Sequence, residues 1–125
     1  MNFAWSDYLH LARQLLQESE TAASREAKQR AAISRAYYAA FCTARNHLRD
    51  NESVSIPKGA AHKVVRLRFE ESPDRVRKEI AVGLNELRIQ RNRADYDDAF
   101  AELRATADAA LTLAEEVIAL LASLK

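Results

Sequence analysis

Turn residues are scarce in this sequence. It has two glycines and two prolines in 125 residues. A strand-rich domain needs many tight turns, so the shortage argues for a few long helices. Cys42 is the only cysteine, which excludes an internal disulfide. It lies in an apolar helical stretch and reads as a small buried hydrophobe rather than a nucleophile. One thiol and three histidines without paired spacing make no metal-ligand set. With Gly59 and Gly83 as the only glycines, no phosphate-cradling glycine loop exists. Nor is there a strand–turn–helix elbow for a nucleophilic serine. No pattern asks for a cofactor. No run reaches the roughly 18 apolar residues of a membrane span. The opening stretch from Met1 to Asp7 lacks the basic and apolar regions of a signal peptide. The expectation is a soluble cytoplasmic protein with no membrane partner.

What is present is helix-forming: Ala, Leu, Glu and Arg are abundant. The length fits one domain over residues 1–125, large enough for a core without staples. Lys and Arg total 19 against 18 Asp and Glu, so the net charge of +1 does not demand a nucleic-acid partner. The distribution says more. Basic residues crowd from Lys58 to Arg93 and acids from Asp95 to Glu116, so one side of the fold can be basic while the chain is nearly neutral.

Hydrophobic spacing predicts five helices. The first runs from about Phe3 to Glu20, with Trp5, Tyr8, Leu9, Ala12, Leu15 and Leu16 as its stripe. Glu18 to Arg25 carries the chain round. The second runs from about Arg25 to Asp50, with Ile33, Ala36, Tyr37, Ala40, Phe41, Ala44 and Leu48. Its many alanines admit a close neighbour, and Tyr38, off the stripe, marks a second buried face or an interface. Asp50 to Gly59 reads as the main loop, followed by a short helix from about Ala60 to Glu70. Ser72 then Pro73 reads as a cap and first helical position, with Asp74 favourable to the dipole. In this fourth helix the face of Val76, Ile80, Leu84 and Leu87 continues into Arg91 and Ala94 or Asp95, turning from apolar to charged. The last helix runs from about Asp98 to Leu124, its stripe starting at Phe100 and Leu103.

The change in that fourth face is where a site is expected. Arg88, Arg91 and Asp95 share a face at i, i+3 and i+7. Arginine forks hold phosphate bidentately, Asn92 both donates and accepts, and Tyr96 offers a hydroxyl and a stacking ring. The bland alternative is that Arg91 and Asp95 pair across one turn and end the helix. His62, opening the third helix beside Lys63, is either a surface or capping residue or an acid–base group. His10 and His47 read as structural.

Two segments resemble stand-alone HEPN-domain proteins. Residues 32–41, AISRAYYAAF, look like their SRAYYAAF stretch, and residues 87–98, LRIQRNRADYDD, look like their LR..R..ADYDD stretch. The Ala61, His62, Lys63 step falls where this subgroup often carries an HK pair. The resemblance extends over about residues 3 to 122.

The resemblance implies an all-α, up-and-down bundle of four to five helices, usually a homodimer. It implies a component of a toxin–antitoxin or defence module, acting as a metal-independent RNase whose motif is an arginine, four to six residues, then a histidine, duplicated across the dimer. This sequence departs from the motif. Four residues past Arg91 lead to Tyr96 and six to Asp98, while six past Arg88 lead to Asp95. Either His62 stands in, with Arg91 holding phosphate charge and His62 or Tyr96 handling the proton, or the chain binds RNA or nucleotide without cutting. Arg88, Asn92, Asp95 and Arg35 are the implied binding residues. In related pairs a minimal nucleotidyltransferase adenylylates a tyrosine near the motif, which makes Tyr96 the candidate acceptor here. The third reading is a structural dimeric bundle whose polar cluster closes the interface.

Overall fold

The structure, a computed structural model, describes residues 3–18 and 22–124. Among them are five helices and no strand: α1 Asp7–Gln17, α2 Ala22–Asn51, α3 Ala61–Glu70, α4 Arg75–Tyr96 and α5 Leu103–Ser123. The all-α expectation holds. No helix is long and apolar enough to cross a membrane among the described residues.

α2 is the spine. It packs against α1, α4, α5 and α3. Ala36, Ala40 and Ala44 are wholly buried along it, so the small-residue stripe admits close neighbours. Ile33, Tyr37 and Leu48 supply the bulk between them, and α5 covers the stripe with Ala107, Ala114, Val117 and Leu121. α4 approaches α5 closely at Gly83: a Cβ there would stand 2.5 Å from Val117 Cγ2.

Helix ends differ from the sequence expectation for identifiable reasons. α1 begins at Asp7 rather than Phe3, because Ala4 and Trp5 carbonyls accept from Asp7 and Tyr8 in a preceding turn, at 2.9 and 3.0 Å. There Phe3, Trp5 and Tyr8 pack edge to face, with centroids 4.9 to 5.6 Å apart. α1 closes at Gln17 with Glu18 extended; the expected end at Glu20 lies outside the described residues. α2 starts at Ala22, before the expected Arg25. α4 is capped by Asp74, whose Oδ2 accepts from the Arg77 N–H at 3.0 Å. Ser72 Oγ accepts instead from the Asp74 N–H, so Pro73 precedes the cap. The carboxylate, charged and two residues later, is the better match to the helix N-terminus.

α5 starts at Leu103 rather than Asp98 because the chain between is held by another element. Arg30 of α2 donates to the carbonyls of Ala94, Asp97 and Asp98 at 2.9, 2.7 and 3.2 Å. The Ala94 carbonyl is one that the end of α4 leaves open, and Asp97 and Asp98 follow that end. Phe100 tucks beneath two guanidiniums, Arg93 at 4.1 Å and Arg30 at 5.9 Å from its ring centroid. Glu102 then takes a left-handed conformation (φ 58°) that turns the chain into α5.

Candidate functional site

Tyr37 sits in the alanine stripe of α2 with 2% of its surface exposed. A buried phenol needs a polar partner, and here the partner is His62 Nδ1, presented by the first turn of α3. The imidazole stacks on Phe41 at 4.2 Å between centroids and lies nearly parallel to the Tyr37 ring at 5.6 Å. Tyr38 meets it edge-on. α2 and α3 thus clamp one histidine between three aromatic rings.

α4 brings positive charge to the same place. The Arg91 guanidinium lies 5.2 Å from the Tyr37 ring centroid and 5.6 Å from that of Tyr38. Its charge is only partly answered: Asp95 Oδ2 is 3.7 Å from Nη1, too far for a hydrogen bond. Arg88, one turn earlier, donates from Nη2 to Asn85 Oδ1 at 3.0 Å. The Nε atoms of both arginines are buried without a hydrogen-bond partner among the described residues. Two adjacent guanidiniums with spare donors and one distant carboxylate make a site suited to an oxyanion.

Titration follows from this setting. Burial, then the Arg91 and Arg88 charges, hold the His62 imidazole below its ordinary range. Burial pushes the Tyr37 phenol well above its own, outweighing the nearby Arg91. At neutral pH the pair is a neutral imidazole and a protonated phenol. The contact serves either tautomer. With Nδ1–H donating to Tyr37 Oη, the free Nε2 is a base; with Tyr37 donating to Nδ1, Nε2–H is a donor. Nε2 has no hydrogen bond among the described residues.

Of the residues singled out from the sequence, Arg88, Arg91 and His62 converge, with Asp95 beside Arg91. Asn92 is half-buried next to Arg91. Tyr96 is 75% exposed at the end of α4, about 140° round the helix from Arg91. Arg35 is laid over the Tyr8 ring at 4.9 Å, tying α2 to α1. It sits about 200° round α2 from Tyr37. His10 is exposed on α1, and His47 is bound to Glu52 and Asn51. Cys42 is buried, and burial raises its thiol pKa, so it is a core residue. No group of three or more His, Cys, Asp or Glu side chains is placed to hold a metal ion among the described residues.

Sequence reasoning put Tyr37 in the core, where it is, and Tyr38 on a second buried face or an interface, and it named neither as a site residue. The available signal was an adjacent tyrosine pair inside an alanine-rich stripe, where leucine would have filled the same space without a hydroxyl to satisfy.

A family model described as HEPN domain matches residues 5–124 of the chain. No curated protein and no solved structure matches it.

Proposed function

The chain belongs to the HEPN family, and from that premise we propose that it acts as a dimeric, metal-independent RNase in a toxin–antitoxin or defence module. One observation carries the reading. His62 from α3 and Arg91 from α4 both meet Tyr37, which supports His62 as the stand-in for the imidazole missing downstream of the arginine.

The chemistry needs little more. His62 Nε2 removes the proton of a ribose 2′-hydroxyl. That oxygen attacks the adjacent phosphorus, the bond to the 5′-oxygen breaks, and the proton passes to the leaving oxygen. A 2′,3′-cyclic phosphate and a 5′-hydroxyl result. Arg91 and Arg88 hold the non-bridging oxygens as charge builds on them. Tyr37 fixes the imidazole orientation from Nδ1, and pairing of two copies duplicates the site. Incubation with labelled RNA in EDTA is the test. The wild type cleaves, and Arg91→Ala and His62→Ala each lose at least about a hundredfold. Undiminished cleavage by Arg91→Ala overturns the assignment, and a variant that only unfolds more easily points to a structural bundle.

A second reading is favoured by the position of Tyr96. Its exposed ring at the end of α4 suits a non-catalytic subunit that binds RNA or nucleotide and pairs with a minimal nucleotidyltransferase. There the Tyr96 oxygen attacks the α-phosphorus of ATP, releasing pyrophosphate and leaving an adenylylated tyrosine. Intact mass after incubation with that partner and ATP tests it: the adduct forms on the wild type and is lost in Tyr96→Phe. An unchanged wild-type mass removes this reading.

A further inference from the structure

We infer that the cavity between α3 and α4 is a guanine pocket, giving the RNA reading above, on which this rests, a base preference. The cavity has a volume of about 340 Å³ and is lined by Arg66 and Glu70 from α3 and by Lys78, Ala81, Asn85 and Glu86 from α4. It adjoins the arginine cluster directly, since Asn85 accepts from Arg88. His62 and Arg66 are one helical turn apart on α3, as Asn85 and Arg88 nearly are on α4. A base in the cavity therefore belongs to a nucleotide whose phosphate lies at Arg88 and Arg91.

The polar groups define the occupant. The lining charges cancel, two cations against two carboxylates, so a phosphate gains little here. Lys78 is partly committed: one of its three Nζ donors goes to the Glu70 carbonyl at 3.1 Å. Arg66 is less committed. Its Nη1 is 3.8 Å from Glu70 Oε2, too far for a hydrogen bond, which leaves the Nη end of the guanidinium to donate. Asn85 has its oxygen taken by Arg88, which leaves its amide hydrogens to donate. Glu86 Oε1 accepts from Gln90 at 3.0 Å, leaving Oε2 to accept from a ligand. The pocket thus offers donors from Arg66 and Asn85 and an acceptor from Glu86, over the small apolar surface of Ala81. Guanine alone among the bases presents two adjacent acceptors, O6 and N7, and two adjacent donors, N1–H and the 2-amino group. The two-pronged contact of arginine to O6 and N7 is the commonest specific base contact. Adenine lacks the acceptor pair and the pyrimidines lack N7.

The test is binding of fluorescent 2′-O-methyl octanucleotides, which resist 2′-hydroxyl attack. The set is all-adenine or adenine with one central guanine, inosine or 7-deazaguanine. The wild type binds the guanine strand about tenfold more tightly than all-adenine, with part of that margin lost for inosine and for 7-deazaguanine. Arg66→Met narrows the margin and no longer separates guanine from 7-deazaguanine; independently, Glu86→Gln narrows it and no longer separates guanine from inosine. Arg91→Ala weakens all four by the same factor. Equal affinity of the wild type for all four overturns the pocket and leaves the RNA reading standing. A guanine margin with no change in Arg91→Ala overturns the RNA reading at that site and keeps the pocket. No binding of any strand overturns both.

Discussion

Tyr37 Oη and His62 Nδ1 are bound to each other although 25 residues and the whole α2–α3 loop separate them. The relationship explains why a hydroxyl occupies the most buried face of α2, and it makes Tyr37 a positioning residue for the imidazole. Tyr37→Phe keeps the ring that Phe41 and Arg91 pack on and removes only the oxygen. The unfolding free energy should fall by about 1 kcal/mol. RNA cleavage should fall further, by roughly a hundredfold, because the imidazole is free to turn. Turnover and thermal unfolding measured on one preparation separate the two effects. Equal activity in both proteins would remove the positioning role.

Titration of His62 follows from its surroundings. Its folded pKa lies below the ordinary imidazole value of about 6.5, through burial first and then Arg91 and Arg88. As pH drops through about 6.5 the unfolded chain takes up a proton that the folded chain refuses, so stability declines with falling pH in that window. The decline ends below the folded pKa, where both states are protonated; above about 6.5 the contribution is fully present. Cleavage that uses His62 as base should hold its plateau through neutral pH and fall only on the acid side. Imidazole shifts, assigned with a His62→Gln variant, check the order. A midpoint above 6.5 would contradict this picture.

The five helices were legible because each carries an apolar stripe at helical spacing; Leu9, Ala12 and Leu16 on α1 and Val117 and Leu121 on α5 are buried as that spacing requires. Arg88, Arg91 and His62 were also legible as site candidates, since charge interrupts the apolar face of α4 and a histidine opens α3. Their union entered only as one of two alternatives, because it depends on how α3 and α4 lie against α2, which no local pattern encodes. The start of α5 was missed for a similar reason. Arg30 reads as a surface charge on α2, yet it satisfies carbonyls more than 60 residues away.

The α4–α5 contact is sensitive to a single carbon. An alanine at Gly83 would put its Cβ 2.5 Å from Val117 Cγ2, in a place where Val117 is 1% exposed. Neither helix backbone yields easily, so the added methyl outweighs the gain in helix propensity that alanine normally brings. Gly83→Ala should lose about 1–3 kcal/mol in denaturant unfolding. Val117→Ala in the same chain should recover part of that loss, as the two changes share one space. A stabilised single variant would show that the helices separate freely.

Arg30 is the least conspicuous of the residues that shape the site. One guanidinium bonds three carbonyls, those of Ala94, Asp97 and Asp98, and also lies over Phe100. The turn of α4 that it holds carries Asp95 and Tyr96. Arg30→Ala leaves those carbonyls to water and should cost about 2 kcal/mol, in the range of hydrogen bonds to a charged group. The damage should be local: amide exchange should quicken from Ala94 to Glu102 while the amides of α2 near Ala40 stay protected. Lysine keeps the charge but loses the planar fork, so Arg30→Lys should recover only a minor part. Exchange measured residue by residue on the three proteins decides it. Full recovery by lysine would mean that charge alone, not the forked geometry, holds the end of α4.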